Sequence, residues 1–402
     1  MMEEKNLLHV NPLPGPTWNW LKVNDIKIEV PEEASEALAE VQLPGGISDS
    51  EVLSEEDFST LSGAESGMGA PFAGWIAGCP VDPLTFTTTV GMEVAEPAVV
   101  RVFASSDEVT VNRYQLVARR GSEMTVVMVV SGADLARTGE TGIAGSDEAS
   151  EQRPGSVDET GENNAGSSGP EGRPGAVVFL ETRIRIEDGA KVHLVQVADG
   201  GDAVQSGFDV AASLGKESEL TILHISMGEK KALFGVAADL AGEKSRISID
   251  TAYTAGEEQL VDINYVARHR GKNTDSKIRV NGVLKEGAEK TFRGTIDFIR
   301  GASDATGDER EDVLLLGENV VNKTVPLILC QEEDVEGSHG ATIGDLSEET
   351  LYYFRSRGIP DEEAYRLMAA GRLTAAARQI PEESIRKELL ARLGEEEGDE
   401  TL

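Results

Sequence analysis

From residue 176 to about residue 341, the chain is a succession of short segments in which apolar and polar side chains alternate. Such alternation gives a β-strand one buried face and one wet face. The last four segments are centred on Ile249, Ile263, Val280 and Ile296, which are 14, 17 and 16 residues apart. No helical pattern separates them, so the parallel crossovers of a doubly wound sheet are disfavoured. The spacing predicts the stacked turns of a β-solenoid, although the period alone also fits a β-sandwich.

Different patterns flank this run. Residues 1–100 combine short helical patterns, such as residues 32–40, with acidic segments that contain glycine, and they predict a small, partly helical N-terminal region. The β pattern of the core begins near residue 101, which gives a mainly β core over residues 101–342. Beyond it the apolar period becomes helical, and cap residues and glycine stops predict a C-terminal helical domain over residues 343–402.

The β pattern is interrupted between residues 131 and 175. This segment is rich in Gly, Ser, Glu, Asp, Asn and Pro and contains almost no large apolar side chain. It therefore cannot bury enough surface to offset the entropy of ordering, and we expect a disordered acidic insertion between two strands. A long surface loop adds little closure entropy. A partner-binding segment is the alternative interpretation.

Charge and cysteine content narrow the classes of function. The chain carries 72 acidic and 37 basic residues, a formal charge of −35, which repels nucleic-acid phosphates and anionic lipid headgroups. We therefore expect neither nucleic acid nor a membrane as a partner. Cys79 and Cys330 are too few for a disulfide framework and form no C-x-x-C pair. With neither a signal-like N-terminus nor an apolar run of spanning length, the sequence predicts a cytoplasmic protein.

Six short motifs occur in a fixed order outside the insertion. They are residues 16–19 (PTWN), 269–276 (HRGKNTDS), 292–294 (FRG), 314–317 (LLLG), 334–342 (DVEGSHGAT) and 351–359 (LYYFRSRGI). Together they resemble the SufB/SufD family, whose members assemble iron–sulfur clusters on a scaffold. The core of that family is a right-handed parallel β-helix, so the resemblance selects the solenoid over the sandwich.

The resemblance also implies a candidate ligand. The histidine of the 334–342 turn, His339, corresponds to a family residue at the meeting of two scaffold subunits, where its imidazole is a candidate ligand for iron or a cluster. SufD-type sequences often carry a cysteine where this chain has Gly337, and SufB-type sequences carry an acceptor cysteine where it has Glu311. Without these thiolates we expect no stable cluster on the isolated chain, and a transient cluster shared with a partner. The sequence neither indicates nor excludes a flavin in the complex.

Three further residues are candidates for an interior path for sulfur or iron: His269, Lys272 and Cys330. The alternative for the 269–276 motif is a polar corner of the β-helix in which Gly271 and Asn273 shape the turn. Both cysteines are interpreted most simply as small apolar or turn residues. The motif resembles SufB-type sequences, whereas Gly340 after the candidate histidine favours the SufD type.

The resemblance implies two protein partners, a SufB-like scaffold and a SufC-like ABC-type ATPase. Aromatic and arginine residues of the C-terminal domain are the predicted ATPase contacts, since such side chains are enriched in interface cores. They are Tyr352, Tyr353, Phe354, Arg355 and Arg357.

The favoured function is thus a SufD-like, non-catalytic scaffold subunit, and no Walker A, H-E-x-x-H or G-x-S-x-G motif indicates an enzyme class. Two alternatives stay open. A β-helix enzyme acting on polysaccharide would need carboxylates that converge on one face, and Asp250, Asp262 and Asp297 are the candidates. A SufB-like homodimeric scaffold is the other, against which the missing cysteine at Glu311 argues.

Overall fold

The structure, a computed structural model, describes residues 6–17, 19–49, 53–105, 108–132 and 175–394. The strands are β1 (Asn6–Val10), β2 (Ile26–Val30), β3 (Ser35–Glu36), β4 (Ala39–Gln42), β5 (Ile47–Ser48), β6 (Leu84–Thr88), β7 (Ala98–Ala104), β8 (Val109–Ala118), β9 (Glu123–Gly132), β10 (Val177–Ile186), β11 (Lys191–Asp199), β12 (Gln205–Leu214), β13 (Glu219–Ser226), β14 (Lys231–Leu240), β15 (Arg246–Ala255), β16 (Leu260–His269), β17 (Asp275–Leu284), β18 (Glu289–Phe298), β19 (Ala305–Leu315), β20 (Val321–Cys330) and β21 (Val335–Gly344). The helices are α1 (Glu55–Gly63), α2 (Ala70–Gly78), α3 (Glu348–Ser356), α4 (Asp361–Ala377) and α5 (Glu383–Arg392), with a short 3-10 helix at Asn19–Leu21.

The core is a parallel β-solenoid of about seven turns, which confirms the predicted fold class. Strands from β6 to β21 alternate between two long sheets, so that each turn contributes one strand to each sheet. Ile249 on β15 pairs with Ile278 on β17, one full turn later, whereas Ile263 on β16 lies in the other sheet. The intervals of 14 to 17 residues in the sequence are therefore half-turns.

One turn of the solenoid contains the predicted insertion. Asp188 and Lys216, which are hydrogen-bonded between neighbouring turns, are separated by 28 residues in the sequence. Arg113 and Glu181, which are bonded in the same way, are separated by 68 residues. The longer turn joins β9 to β10, and both strands keep the parallel register of the sheets. Residues 133–174 lie outside the described residues, so the expected disorder stays a prediction.

The solenoid interior contains a hydrogen-bonded chain of buried polar side chains among its apolar residues. Gln196 Nε2 donates to Thr182 Oγ1 at 3.4 Å, and Gln196 Oε1 lies 3.0 Å from Nε2 of His224. The Tyr265 hydroxyl lies 2.6 Å from His224 Nδ1 and 2.7 Å from Thr251 Oγ1. Burial lowers the pKa of His224 to about 3, so the imidazole is neutral. Each side chain supplies a partner that buried polar groups require.

The N-terminal region differs from the prediction in detail. The predicted helical segment 32–40 is wrong, because it forms β3 and β4, which pair with β8 and β7 at the first turn of the solenoid. Strand pairing there overrides a local helical preference. The helices of this region are α1 and α2 instead, and α1 begins with a capping box between Ser54 and Asp57. The sheets also begin before residue 101, at β6 and β7.

The C-terminal helices pack on the outside of the solenoid. Leu373 on α4 and Ile385 and Leu389 on α5 join an apolar cluster with Val127 and Val195, whose side chains face outward from the nine-stranded sheet. The predicted helical character of the C-terminal domain is confirmed. None of the helices in the described parts of the chain is long and apolar enough to cross a membrane.

Two arginines attach these helices to the strands. Arg372 on α4 donates to the carbonyl oxygens of Gly282 and Asp312 at 2.8 and 3.0 Å, and to Oδ1 of Asp312 at 2.6 Å. Arg392 on α5 forms an ion pair with the buried carboxylate of Asp199. Hydrogen bonds that involve a charged group are stronger than those between neutral groups, so the contacts of the two arginines hold the helices in one position.

Candidate functional site

The C-terminal end of the solenoid is open. β20 and β21 are the last strands of the two long sheets, and each is hydrogen-bonded on one side only. Most residues of both strands are exposed or half-buried, whereas β18 in the preceding turn is almost fully buried. The two strands therefore present unpaired backbone N–H and C=O groups, which are a template for pairing with another chain.

His339 lies in the middle of β21 at this open end, so the predicted turn over residues 334–342 is wrong, because all of these residues but Asp334 pair with β19 as a strand. It is exposed, and its register partner on β19 is Glu309. Register partners of parallel strands point to the same face, and Glu309 is buried in the interior. The imidazole of His339 therefore lies on the inward side of the last turn and is accessible from the open end. A ligand of a cluster that is shared with a partner subunit needs this accessibility.

Glu309 lies directly beneath this histidine in the solenoid. A Cβ atom placed on Gly294 would lie 2.0 Å from Oε2 of Glu309, so the carboxyl group occupies the space that only glycine leaves free. Burial and the nearby carboxylate of Glu311 raise the pKa of Glu309 to about 8, while Lys290 opposes them. Glu309 is thus mostly protonated at neutral pH.

Glu311 belongs to a buried ion pair. Its Oε1 pairs with Nζ of Lys290, and both side chains are almost fully buried. Its Oε2 accepts a hydrogen bond of 2.6 Å from Oγ1 of Thr324, which also lies 3.1 Å from Lys290 Nζ. Both carboxylate oxygens are engaged, so this side chain does not offer a free ligand.

The motif 292–294 has a structural explanation. Phe292 is buried in the core, and Gly294 makes room for the carboxyl group of Glu309. Arg293 points the other way, donates to the carbonyl of Val23 at 2.5 Å and forms a buried ion pair of 2.8 Å with Asp262. The motif thus joins the N-terminal segment to the solenoid and leaves the space for Glu309 beneath His339.

The three candidates for an interior path do not form one. His269 is buried inside, with Thr274 and Ser276 hydroxyls 2.8 and 2.9 Å from its ring nitrogens, and burial lowers its pKa to about 4. Lys272 is exposed at an outer corner of the solenoid, so its placement in an interior path is wrong. Cys330 is exposed at the open end, and its thiol lies 2.9 Å from the Glu332 carbonyl.

The geometry of the 269–276 motif is that of a corner. Asn273 has φ of 57°, a left-handed conformation that asparagine tolerates well, and the backbone of Gly271 packs on Gly242 too closely for a Cβ atom. Lys272 lies between these two turn residues, which explains why its side chain is directed away from the interior. The polar-corner alternative therefore accounts for this motif.

The five predicted ATPase contacts differ in their availability. Tyr352 and Tyr353 are 72% and 54% exposed, whereas Phe354 is half-buried beside Tyr353. The guanidinium group of Arg357 stacks over the Tyr353 ring at 4.9 Å. Arg355 is already engaged, since it forms a bidentate pair with Asp361 of α4 at 2.6 and 2.5 Å. The two tyrosines and Arg357 thus form the exposed part of this surface.

The carboxylates of the alternative polysaccharide-active enzyme do not converge. Asp262 is buried in its ion pair with Arg293, and Asp297 pairs with Arg268 at 3.2 Å. Asp250 lies on β15, in the other long sheet. Across the described ranges, no group of three His, Cys, Asp or Glu side chains is placed to hold a metal ion.

Comparison with known proteins agrees with these motifs. Residues 172–372 match the family described as SUF system FeS cluster assembly, SufBD core domain. The iron–sulfur cluster assembly protein SufD of Bacillus subtilis is 30% identical over 180 residues, which are 45% of this chain and 41% of that protein. SufB of Bacillus subtilis is 29% identical over 158 residues, 39% of this chain and 34% of that protein. A SufBD family protein of Mycobacterium tuberculosis is 28% identical over 158 residues, 39% of this chain and 19% of its own length.

The matched region spans less than half the length of each of these relatives. It nevertheless contains the strands from β10 to β21, α3 and part of α4, and therefore the open end with its histidine. Since the family match covers half of the chain and coincides with the solenoid that carries the motifs, the chain belongs to the SufB/SufD core-domain family of the SUF iron–sulfur cluster assembly system.

Proposed function

We propose that this chain is a SufD-like, non-catalytic scaffold subunit of a cytoplasmic SUF complex, which pairs with a SufB-like subunit at the open end of its solenoid. In this role it presents His339 to a transient iron–sulfur cluster, or to the iron that builds one, while the partner provides the thiolate ligands. The exposed histidine on the inward side of the last turn is the observation that carries the proposal.

The surroundings of His339 support shared ligation. Soft thiolates are the usual cluster ligands, and this end of the chain has Gly337 and Glu311 where relatives have cysteines. Glu311 is neutralised by Lys290, and Glu309 is mostly protonated at neutral pH. Of His339, Glu309 and Glu311, only His339 is both exposed and chemically suited to iron.

We also propose that a SufC-like ATPase docks on α3, where Tyr352, Tyr353 and Arg357 form an exposed aromatic and cationic surface. Exposed aromatics beside an arginine are typical of binding hot spots. The SufB-like homodimer remains the second candidate, because the 269–276 motif resembles that subtype. The missing acceptor cysteine at Glu311 disfavours it. So do the acids before and at the start of β21, Glu332, Glu333, Asp334 and Glu336, because two copies would bring like charges together at the open end.

Anaerobic reconstitution with iron and sulfide tests the proposal. The isolated chain should retain no stoichiometric cluster after desalting, and the mixture with the SufB-like subunit of the same genome should retain one. His339→Ala should leave the pair intact but reduce the cluster content several-fold, and Ser338→Ala on the same strand is the matched control. A stable cluster on the isolated chain, or an unaffected His339→Ala pair, would contradict the proposal.

A further inference from the structure

The two strands at the open end are not equivalent as hydrogen-bonding edges. β20 contains Pro326 at its centre, whereas β21 contains no proline. Proline lacks a backbone N–H group and interrupts any ladder in which that group would point to the partner. Its effect depends on whether position 326 faces the preceding turn or the open edge.

The hydrogen bonds of β20 show that position 326 faces the open edge. Val321 N–H donates to the carbonyl of Ala288, and Gln331 N–H donates to the carbonyl of Phe298, both in the preceding turn. Backbone groups of successive residues in a strand point to opposite sides. Odd-numbered residues of β20 therefore bond to β18, and even-numbered ones, including Pro326, point to the open edge. The missing N–H group of Pro326 therefore removes no hydrogen bond between β20 and β18. It removes a donor only from the free edge of β20.

The free edge of β21 is complete. In earlier turns of the same sheet, Arg246, Asp275 and Thr306 each donate a backbone hydrogen bond to the preceding turn. Glu336 is the register partner of Thr306, so it takes the same role on β21. The alternate residues, with His339 and Ala341 among them, then direct intact N–H and C=O groups to the open edge.

The charge of this edge restricts what can pair with it. No lysine or arginine occurs in residues 324–354, whereas Glu332, Glu333, Asp334 and Glu336 lie before or at the start of β21 and Asp345 follows its end. If β21 paired with β21 of a second copy in the antiparallel direction, Asp345 of each copy would lie against these acids of the other. If the two strands paired in the parallel direction, the acids of one copy would lie against the same acids of the other. Like charges in such positions are destabilising. A partner with basic residues beside its edge strand fits instead.

We infer that β21 is the strand that hydrogen-bonds the partner subunit, that Pro326 prevents β20 from doing so, and that the partner is a different β-solenoid subunit with a basic edge rather than a second copy of this chain. The inference rests on the proposed pairing with a SufB-like subunit. It adds which strand pairs, which residue excludes the other strand, and which charge the partner must carry.

Proline substitutions that remove one open-edge donor at a time test the assignment. Ala341→Pro acts on β21, and Ile328→Pro acts on β20, where the even-numbered Ile328 also faces the open edge. Ile328→Ala controls for the lost side chain, and Pro326→Ala restores the missing donor. Affinity for the SufB-like subunit of the same genome is measured with each full-length variant by titration calorimetry, after circular dichroism has verified its fold.

Ala341→Pro should weaken binding tenfold or more, because a donor is lost and the ring is placed against the partner backbone. Ile328→Pro should stay within threefold of the unchanged chain, because Pro326 already prevents β20 from pairing. Pro326→Ala restores the missing donor and should strengthen binding by more than threefold; an unchanged affinity would overturn the role given to Pro326. If Ala341→Pro does not fold, Ile343→Pro provides the same test on the same edge. Equal weakening by the β20 and β21 prolines, or none by the β21 prolines, would overturn the strand assignment.

Two further results separate this inference from the proposed function. Sedimentation of the chain alone should show a monomer at micromolar concentration, and a homodimer that the β21 proline dissolves would overturn the identity of the partner. Affinity for the SufB-like subunit should fall as sodium chloride rises from 50 to 500 mM, and salt-independent binding would contradict the basic edge. If the unchanged chain does not bind that subunit at all, the proposed function itself fails.

Discussion

Replacing Glu309 by glutamine should remove much of the pH dependence of stability at the open end of the solenoid. The carboxyl group is 3% exposed, fills the space beside Gly294 and has a pKa raised from 4.5 to about 8 by burial and by nearby Glu311. The folded chain thus holds a proton that the unfolded chain has released. A group with a raised folded pKa stabilises the fold at low pH, and that stability is lost as the pH rises toward 8.

The magnitude follows from the linkage slope. One bound proton changes the unfolding free energy by about 1.4 kcal/mol per pH unit between the two pKa values. Between pH 5.5 and pH 7.5, the unchanged chain should therefore lose about 2 to 3 kcal/mol relative to Glu309→Gln. Glutamine keeps the size of the side chain and cannot ionise, so its stability should not carry this slope.

Urea unfolding at pH 5.5, 6.5 and 7.5 measures the difference. Glu318→Gln, at an exposed carboxylate in the loop before β20, is the control and should follow the unchanged chain at every pH. Hydrogen exchange of β19 and β21 identifies the turns that are affected. Parallel stability curves for Glu309→Gln and the unchanged chain would refute the view that this buried carboxyl group is protonated at neutral pH.

Three further predictions concern other parts of the molecule. Arg372→Ala removes three hydrogen bonds to β17 and β19 and should loosen α4 by about 2 kcal/mol, which faster hydrogen exchange of that helix would reveal. Deletion of residues 133–174 should change the melting temperature by no more than about 2 °C, because an insertion with almost no large apolar side chain adds little to stability; a larger fall would contradict this. Tyr352→Ala with Tyr353→Ala should weaken binding of a SufC-like ATPase tenfold or more in a pull-down titration at an unchanged melting temperature, whereas Phe58→Ala, at an exposed residue of α1, should not.

Point substitutions are a sharper test of ATPase docking than removal of the helical domain. Truncation after Gly344 would remove α3, α4 and α5 together. The structure shows that α4 and α5 cover outward-facing apolar residues of the nine-stranded sheet, including Val127, Val195 and Ile225. Their exposure would create an apolar patch that favours aggregation. Loss of binding after truncation would therefore not identify the docking surface.

The solenoid was predictable because most of its strands keep a regular alternation, but several strands of the core, β12 and β14 among them, were not. β12 and β14 contain small and apolar residues on both faces, as at Leu233, Phe234 and Val236. Their outer faces are covered by the N-terminal segment, and a Cβ atom on Gly235 would lie within 2.6 Å of Met68. A strand buried on both faces loses the period of two on which the prediction depends.

The candidate site was only partly predictable. The resemblance of short motifs to the SufB/SufD family was enough to identify His339 as the candidate ligand. It also identified Gly337 and Glu311 as positions without the expected thiols. Lys290 and Glu309 were missed, because their roles depend on which residues of β18 and β19 meet across the interior. The alternation within one strand does not show which residues of another strand it contacts. A lysine at an inward position of an otherwise alternating strand was the available signal. It predicts a buried acidic partner.

Pulsed EPR of the assembled pair tests the central claim most directly. This chain is produced with ¹⁵N-labelled histidine, combined with the unlabelled SufB-like subunit, loaded with iron and sulfide and reduced. We predict a ¹⁵N hyperfine coupling to the cluster that disappears in His339→Ala and persists in Ser338→Ala, as expected for direct imidazole ligation. A cluster without any ¹⁵N coupling, or a coupling that His339→Ala leaves unchanged, would contradict the assignment of His339 as the ligand that this subunit contributes.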